Sequence, residues 1–543
     1  MPGENPARYD AIVVGAGHNG LTCAAYLAKA GLKVCVVEQR PFVGGAAITR
    51  EVFPGHKVSV ASYWMSLLQP KIMRDLDLRA NGVEVIPTPP TFQPFADGRS
   101  IVFWPDRARM QEELAQFSES DAAAYADYED HMMRIIPLIR RLMFETPLDP
   151  TNLTPKNLAK AARLAWKMRD ALPHFHDIWD LLTLSAWEFL SRWFESDQVL
   201  TVFGSYASGS AGMLSPKSPG SAYVLARPFL RDGSTDQGPG GLVRGGMGAI
   251  SDALCKVAKA NGAEVITGHA VERVLFADKG VEGVRLDDGR VLKAPVVVSN
   301  AGAKATYFGL IGKDRIGTDI IKQVERHRTK SIAFKINLST KSLPRWTAYD
   351  ARRLNDRDPG GIVLAENSDE LEDAFHSALS GEIAPRPYLW ITTPSAFDPT
   401  VAPEGRHVVQ IMGGHVPYKL RGKDWDEATK AELLDIVVRQ ICRYAPGFES
   451  EVVDAQILTP QDIEVMFAMA DGHVHHGEMS LDQIFFRRPI AHYADYRTPV
   501  ASLYMCGAAC HPGGGVTGVP GHNAAREILK DLGRKFPAAS ARL

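Results

Sequence analysis

The chain has 543 residues, with 61 Lys and Arg against 63 Asp and Glu and a formal net charge of −2. The length allows two or more domains around a large core, and the charge excludes a global attraction to nucleic acid. The six cysteines are scattered and contain no C-x2-C pair. They therefore argue against a redox dithiol or a zinc knuckle and are typical of a reducing compartment.

The sequence predicts a cytoplasmic protein. Its first ten residues lack the apolar core of a signal peptide, and no run of 18 uncharged apolar residues predicts a membrane-spanning helix. The final tripeptide, 541–543, only loosely resembles a peroxisomal address, and such matches often arise by chance. The basic, amphipathic stretch 159–171 is interpreted as a solvated helix face, with a peripheral membrane contact as the alternative.

The segment from residue 9 to 38 carries the strongest signal in the chain. An apolar run leads into a glycine-rich turn, a helical pattern rich in Ala and Leu follows, and a second apolar run ends on Glu38. Strand, glycine turn, helix, strand and acid in this order form the dinucleotide-binding fingerprint. We therefore predict a bound adenine dinucleotide, with a glycine turn in an unrelated sheet as the alternative.

Each residue of that fingerprint has a physical role. Gly15 permits the tight turn, Gly17 lets the backbone approach a pyrophosphate, and Gly20 lets the helix pack against the strand. The N-terminus of the helix offers free N–H groups and a positive dipole end to the phosphates. Glu38 would accept hydrogen bonds from a ribose, and its charge would repel a 2′-phosphate.

The remaining elements are predicted in chain order from periodicity and turn residues. Residues 105–200 are predicted to be mostly helical, the glycine-rich stretch 231–248 to form a long turn, and 249–261 a helix. The tail predicts a strand at 503–506, a glycine-rich turn and a helix from Ala524. Five short strands between them, with Asp-Gly and similar turns, predict a β-meander followed by a separate, buried last strand: 264–266, 270–277, 281–286, 291–293 and 296–299.

Five motifs occur in order along nearly the whole chain: GAGHNGLTCAAYLAKAG at 15–31, GGAAITRE at 44–51, GGLVRGGMGAI at 240–250, GHVHHGEMSLDQIFF at 472–486 and CGAACHPGGGVTGVPGHNAA at 506–525. With them the chain resembles the FAD-dependent oxidoreductases of the phytoene desaturase and amine oxidase superfamily, and within it the phytoene desaturase-like branch. The resemblance implies an α/β fold, with a discontinuous, glutathione reductase-like Rossmann domain for FAD and a mixed α+β substrate domain that contains a helical region. The implied segments are 1–75, 242–305 and 465–543 for FAD, and 76–241 (helical) and 306–464 for the substrate.

The resemblance also implies which residues hold a non-covalently bound FAD. A helix starting near His522 would point its positive dipole end at the isoalloxazine and stabilise negative charge there. Covalent attachment through His511 is the alternative, although the cysteine attachment motif of monoamine oxidases is absent from 506–518. The implied FAD-binding residues are Gly15, Gly17, His18, Asn19, Gly20, Glu38, Gln39, Arg40, Gly44, Gly45, Ala46, Arg50, Val271, Asn300, Ala301, Gly507, Gly515, Val516, Val519 and Asn523.

Three histidines and a glutamate cluster at 473–478. They have no helical i, i+4 pair and no second ligand group nearby, so we predict no metal. The resemblance implies that His476 lies near the reactive face of the flavin as the candidate catalytic residue, with a structural histidine as the alternative. Tyr63, Trp64 and the pair Ser205–Tyr206 are candidate substrate contacts, although aromatic residues are more often core.

The resemblance implies a dehydrogenase or desaturase that moves a hydride from a largely apolar small-molecule substrate to flavin N5. The electron acceptor would be oxygen or a quinone, because the glycines at 245–248 lack the context of a second dinucleotide site. A flavin amine oxidase is one alternative, and the lack of a lysine within 472–525 counts against it. A redox-neutral isomerase using reduced FAD and a non-catalytic, FAD-stabilised binding protein also remain open, as does the oligomeric state.

Overall fold

The computed structural model describes residues 7–209, 213–230, 240–355 and 357–537. The predictions for 231–239 and 541–543 lie outside the described residues. The strands in the described ranges are β1 (Ala11–Val14), β2 (Val34–Glu38), β3 (Thr49–Phe53), β4 (His56–Ser59), β5 (Val85–Pro87), β6 (Thr91–Pro94), β7 (Ser100–Val102), β8 (Gly241–Val243), β9 (Glu264–Thr267), β10 (Val271–Phe276), β11 (Val281–Leu286), β12 (Val291–Lys293), β13 (Val297–Ser299), β14 (Phe334–Thr340), β15 (Gly361–Leu364), β16 (Leu389–Thr392), β17 (His407–Gly413), β18 (Val452–Leu458) and β19 (Leu503–Met505).

The helices frame these strands. In the same ranges the α-helices are α1 (His18–Lys29), α2 (Pro70–Asp75), α3 (Arg107–Ala115), α4 (Glu119–Met143), α5 (Pro155–Lys167), α6 (Phe175–Thr183), α7 (Ala186–Leu190), α8 (Asp197–Gly204), α9 (Gly248–Ala260), α10 (Thr318–Arg326), α11 (Ser368–Leu379), α12 (Glu427–Cys442), α13 (Pro460–Phe467) and α14 (Val519–Asp531). None of the helices in the described residues is long and apolar enough to cross a membrane.

The first sheet is parallel, with the strand order β19-β13-β1-β2-β9. Its inner strands are buried, which is typical of parallel sheets, and α1 packs against α9 and α14. Because the carboxyl ends of parallel strands meet at one edge, β1, β2, β13 and β19 deliver Gly15, Glu38, Asn300 and Cys506 to the same edge. The strands come from three distant stretches of chain, each inside one of the predicted FAD segments; the boundaries of those segments stay predictions.

The second sheet has seven strands in the order β18-β14-β17-β16-β15-β6-β7. All seven residues of β14 are buried. Because side chains alternate along a strand, Phe334, Ile336 and Leu338 point into the core of this sheet. The polar residues between them face the first domain, where Asn337 Nδ2 donates to Val60 O (3.3 Å). The sheet therefore covers the segment that follows the β3–β4 hairpin.

A third part of the molecule is helical. Helices α3 to α8 lie within or next to the stretch 105–200 that was predicted to be mostly helical. Their apolar residues form a core of their own, centred on aromatic side chains such as Tyr128, Phe194 and Phe203. With the parallel Rossmann-type sheet and the mixed second domain, this confirms the predicted fold class.

Two predicted elements are corrected by the structure. The strand at 264–266 does not belong to the meander: β9 pairs in parallel with β2 and forms the edge of the first sheet, while β10, β11 and β12 alone make the meander. The last helix begins at Val519 rather than at Ala524. Pro520 lies in its first turn, where proline is tolerated because its missing N–H would have no intrahelical partner.

Candidate functional site

A cavity of about 1450 Å³ opens at the carboxyl edge of the parallel sheet and continues under the second sheet. Ordinary sites for one small molecule measure roughly 300–1,000 Å³. This cavity therefore has room for a large cofactor and a substrate together. Its lining divides into a dinucleotide end, built by the fingerprint, and an aromatic end, built by the second sheet and the helical region.

The dinucleotide end gathers most of the predicted FAD-binding residues. Fourteen of the twenty line the cavity, and the candidate catalytic residue His476 lines it as well. The fourteen are Gly15, Gly17, His18, Asn19, Glu38, Gln39, Arg40, Gly45, Ala46, Val271, Asn300, Ala301, Gly515 and Val516. Residues from three distant parts of the chain thus surround one space.

The glycines at this end are required by the close approach of the strand ends. A Cβ on Gly17 would lie 2.8 Å from Asn300 Nδ2, and a Cβ on Gly20 would lie 2.2 Å from Gly15 O. A Cβ on Gly507 would lie 2.6 Å from Asn300 O. A side chain at Gly20 or Gly507 would collide with backbone, and one at Gly17 would displace the Asn300 side chain, so the glycines allow the ends of β1, β13 and β19 to approach closely.

Glu38 braces the glycine turn. Its Oε2 accepts a hydrogen bond from Ala16 N (2.8 Å), and its Oε1 accepts one from Arg40 N (3.0 Å). The side chain is buried yet lines the cavity, and each carboxylate oxygen can accept more than one hydrogen bond. The Glu38 carboxylate can therefore accept a further hydrogen bond from a ribose hydroxyl, as the sequence predicts.

Two polar atoms at the dinucleotide end fit a bound polar ligand. His18 Nε2 and Asn19 Oδ1 are buried and make no hydrogen bond to any residue that the structure describes. Both residues lie in the first turn of α1 and line the cavity, where the helix offers free N–H groups to an anion. The His18 imidazole and the helix N–H groups can donate to a pyrophosphate, whereas the Asn19 amide oxygen accepts and suits a hydroxyl group, so the residues present fit a dinucleotide.

Six predicted FAD-binding residues do not line the cavity. They are Gly20, Gly44, Arg50, Gly507, Val519 and Asn523.

Their surroundings explain the difference. The Arg50 guanidinium stacks on the Phe42 ring at 3.5 Å, and Asn523 Nδ2 donates to Met143 O and to the Tyr496 hydroxyl, both at 2.9 Å. The six lie behind the wall and shape it, and their direct contact with a cofactor stays a prediction.

The aromatic end of the cavity contains three of the four candidate substrate contacts, Tyr63, Trp64 and Tyr206, but not Ser205. The structure adds two residues that the sequence analysis missed, Tyr388 and Trp390, at the start of β16. Trp390 packs against Trp64 and Tyr206, with ring centroids 6.4 and 6.2 Å apart. Phe103, Phe229 and Met412 complete a largely apolar chamber.

Lys335 was also missed, and it lies behind this chamber. Its Nζ is 4.4 Å from the centre of the Tyr63 ring and makes no hydrogen bond to a described residue. Burial lowers the pKa of the Lys335 amine well below its usual value, because removal from water disfavours the charged form. A lysine therefore borders the site, although none occurs within 472–525.

His476 is part of the cavity wall. Its φ is +55°, and its Nδ1 is buried without a hydrogen-bond partner among the described residues. Burial, helped by the charge of Arg488, lowers the pKa of His476 to about 4. The ring is therefore neutral near pH 7 and can donate or accept one hydrogen bond there.

The other residues of the histidine cluster have separate surroundings. His475 lines the cavity, whereas His473 and His511 do not. His511 Nε2 lies 2.9 Å from Leu142 O, and Glu478 pairs with Arg328 Nε at 2.5 Å. The predicted cluster at 473–478 is thus divided between the cavity wall and the interior behind it.

Arg488 joins the two segments that form this wall. It is fully buried, and its guanidinium donates to the carbonyl oxygens of His475 (2.5 Å), Glu478 (3.1 Å) and Ala508 (2.8 Å). Burial lowers the pKa of Arg488 to about 10, so the side chain stays charged at neutral pH. It holds His475 and Ala508, both of which line the cavity, in a fixed relation.

Comparison with known proteins agrees with this architecture. The family model for flavin containing amine oxidoreductases matches residues 20–529. Pyridine nucleotide-disulfide oxidoreductase domain-containing protein 2 of Rattus norvegicus is 37% identical over 554 residues, which cover 96% of this chain and 94% of that protein. A phytoene desaturase of Fusarium fujikuroi is 26% identical and covers 96% of this chain and 90% of its own.

A solved structure, an oxidoreductase from Methanosarcina mazei, superimposes with a TM-score of 0.60 at 19% identity and covers 96% of this chain and 100% of its own. At that identity the likeness concerns the fold alone. The matches together confirm the resemblance inferred from the motifs.

Proposed function

Because the chain belongs to the flavin containing amine oxidoreductase family, we propose that it is an FAD-dependent dehydrogenase or desaturase acting on a largely apolar organic substrate. The observation that carries this proposal is the continuity of one cavity, in which the dinucleotide end opens into the aromatic chamber. A molecule in that chamber would lie against apolar and aromatic side chains, which suit a hydrocarbon skeleton better than a hydrophilic one.

The dinucleotide end would hold FAD without a covalent bond. The first turn of α1, Glu38 and Asn300 surround the place for the pyrophosphate and ribose, and Val271 borders the same end. When bound, FAD would accept a hydride from a substrate carbon at N5, and oxygen or a quinone would take up the electrons.

The protein positions the substrate and sets the polarity and charge around it. The chamber excludes water around the substrate, and the rigid aromatic rings orient it. His476, neutral near pH 7, supplies a hydrogen-bonding group on the wall without adding charge. The fixed cation of Arg488, one carbonyl behind that wall, favours negative charge in the cavity.

A flavin amine oxidase is the second candidate, and Lys335 favours it. The argument that no lysine lies within 472–525 loses its force, since Lys335 contacts Tyr63 at the chamber. Against it stands Arg227, which lines the same chamber and forms no ion pair with a described residue. A cation there repels a protonated amine, so a substrate oxidised at carbon–carbon is the better fit.

Anaerobic bleaching of the flavin absorbance tests the proposal first. We expect excess NADH or NADPH to leave the flavin oxidised, because electrons enter from the organic substrate. Rapid bleaching by either nucleotide would contradict the proposal and indicate a reductase or a monooxygenase.

A substrate panel then separates the candidates. Polyenes, terpenoids and lipids would be compared with amines of the same carbon skeleton, again by anaerobic bleaching. Bleaching by the hydrocarbons supports the dehydrogenase, and bleaching by the amines alone supports the amine oxidase. Isomerised product without net bleaching would identify the redox-neutral isomerase, and tight flavin binding without any reaction would identify a binding protein.

A further inference from the structure

The segment from residue 153 to 179, comprising α5, the short 3-10 helix after it and the start of α6, carries an exposed apolar surface, here called the 153–179 face. No residue of Pro155–Lys167 or Arg169–His174 is buried. Of thirteen exposed large apolar side chains in the described chain, six lie on this face: Leu153 (71% exposed), Leu158 (51%), Trp166 (71%), Leu172 (67%), Phe175 (55%) and Trp179 (52%). Such a concentration marks an interaction surface.

The face is a fixed part of the molecule. Arg141 of α4 pairs with Asp170 at 2.8 Å, and Lys167 pairs with Glu145 just after α4. The half-buried residues of the segment, Asn157, Ala161, Leu164 and Met168, face the rest of the molecule, so the exposed apolar side chains are presented outward on a supported element. A face held in this way can present the same surface to a partner repeatedly.

A basic stripe runs beside the apolar side chains. Lys156, Lys160, Arg163 and Lys167 are spaced by four, three and four residues, so they share one side of α5. The first three form no ion pair with any described residue. Asp170 and Asp177 are the only acids in the 153–179 stretch, and Arg141 already holds Asp170. Exposed Trp and Leu beside uncompensated Lys and Arg are the chemistry of a helix that lies in an anionic membrane interface.

The face adjoins the mouth of the cavity. Helix α4 packs against α6 and against the 3-10 helix, and its residues Met133, Ile136, Pro137 and Arg140 line the cavity. Met133 is also 58% exposed, which places it at the rim. An apolar molecule dissolved in a bilayer under the face would reach the cavity without crossing water. This route for the substrate rests on the proposed function, whereas binding of the face to a membrane does not.

We propose that the 153–179 face docks the protein on a bilayer that contains anionic phospholipid. Trp166, Leu172 and Phe175 enter the boundary between headgroups and acyl chains, while Lys156, Lys160 and Arg163 pair with lipid phosphates. The protein lies on the membrane and does not span it.

Vesicle flotation of the flavin-loaded full chain tests the proposal, with phosphatidylcholine vesicles made with and without phosphatidylglycerol. We expect the protein to float with the anionic vesicles. The triple variant W166S/L172S/F175S should lower the bound fraction by roughly tenfold or more, since each buried apolar side chain contributes favourably. The matched control L379S/V465S/L532S changes three exposed apolar residues elsewhere and should float like the wild type.

A second variant isolates the charge. K156Q/K160Q/R163Q should lose the preference for phosphatidylglycerol, by about fivefold per charge removed, and added salt should weaken only the wild type. Thermal unfolding and flavin content of every variant verify the fold, because no changed residue is buried.

Two results would overturn the proposal. One is wild-type protein that does not float, or that floats no better than W166S/L172S/F175S. The other is a wild-type dimer by analytical ultracentrifugation that becomes a monomer in this variant while neither binds vesicles, which would assign the face to a second copy of the chain. Neither readout uses turnover, so failure here leaves the proposed oxidoreductase activity untouched.

Discussion

The amine of Lys335 lies 4.4 Å from the centre of the Tyr63 ring, on a strand whose seven residues are all buried. Its Nζ has no hydrogen-bond partner among the described residues, and Tyr63 forms part of the cavity wall. A polar group in this setting destabilises the fold unless it interacts with something else. Lys335 does not line the cavity, so it can affect a molecule in the chamber only through Tyr63, the ring that its amine contacts.

We expect Lys335→Met to stabilise the protein and to lower its turnover. The folded state would gain about 1 kcal/mol, because a buried amine without a partner is replaced by an apolar chain of similar length. The gain should be larger at pH 8 than at pH 10. Burial lowers the pKa of Lys335, so below the usual lysine pKa the unfolded chain binds a proton that the folded state refuses.

Urea unfolding and substrate-driven bleaching measure the two effects. Lys341→Met, at the exposed residue just after the same strand, serves as the control and should change stability by less than about 0.5 kcal/mol. A destabilised Lys335→Met protein would show that the amine has a structural partner and would refute this assignment.

Gly17→Ala should yield folded protein without flavin. The new Cβ would lie 2.8 Å from Asn300 Nδ2, so the Asn300 side chain must shift, and the methyl group would occupy the place in the lining where the Gly17 backbone is predicted to approach the pyrophosphate. The ratio of flavin to protein absorbance in purified protein reports the loss. Gly317→Ala is the control, because no atom lies within 4 Å of a Cβ at that position; normal flavin content in Gly17→Ala would contradict the assigned dinucleotide end.

Glu38→Gln should weaken flavin binding by about 1.5–3 kcal/mol, the usual contribution of hydrogen bonds to a charged group. The amide of Gln can accept at one oxygen only, whereas the Glu38 carboxylate accepts from both Ala16 N and Arg40 N. Fluorescence titration of the flavin-free protein measures the effect. Glu51→Gln is the matched control, since Glu51 accepts from Gly55 N on the exposed β3–β4 hairpin; equal weakening by both changes would remove the special role of Glu38.

The protein should lose stability steeply as the pH falls from 6.5 toward 4. Buried histidines are held neutral, and burial is the largest cause of each lowered pKa. The value is about 3 for His473 and about 4 for His18, His327, His415, His476, His511 and His522. In this window the unfolded chain binds protons that the folded state does not. Each such histidine therefore lowers the free energy of unfolding by about 2 kcal/mol at pH 5.

His415→Asn tests this acid sensitivity. Asn cannot titrate and tolerates the positive φ of +67° at this position. The slope of the unfolding free energy against pH reports the number of protons taken up on unfolding. In His415→Asn this number should be smaller than in the wild type by up to one proton. His176→Asn, at an exposed position, is the control, and an unchanged slope in His415→Asn would show that His415 titrates normally in the folded protein.

The dinucleotide end could be predicted from sequence because its information is local. The segment 9–38 contains two strands, the turn and the helix in one stretch, and the turn residues need special conformations: φ is +95° at Gly15. The residues contributed from elsewhere, such as Asn300 and Val516, came from the resemblance. They line the cavity because their motifs follow strands that end at the same edge, and their contact with FAD stays a prediction.

The chamber could not be predicted in the same way. Lys335 lies on β14, and Tyr388 and Trp390 lie at β16; which side of the second sheet faces the cavity depends on pairing with β17 and β18. Those pairings join residues far apart in sequence, so no local pattern distinguishes a cavity residue from a core residue. Arg50 and Asn523 show the opposite error, because they lie in recognised motifs but do not line the cavity. The Phe42 ring holds the Arg50 side chain behind the wall, and Met143 O holds that of Asn523.

The order of strands in the parallel sheet has a consequence for synthesis on the ribosome. β19 pairs with β13, yet it lies in the last tenth of the chain. Until it emerges, the growing chain exposes one edge of β13, an open template for wrong pairing, and the C-terminal turn that closes the cavity is missing. Flavin capture is therefore a late event that follows release of almost the entire polypeptide. A chain terminated before residue 503 would leave the ribosome with an incomplete sheet and a half-built cavity, a natural substrate for chaperones and proteases.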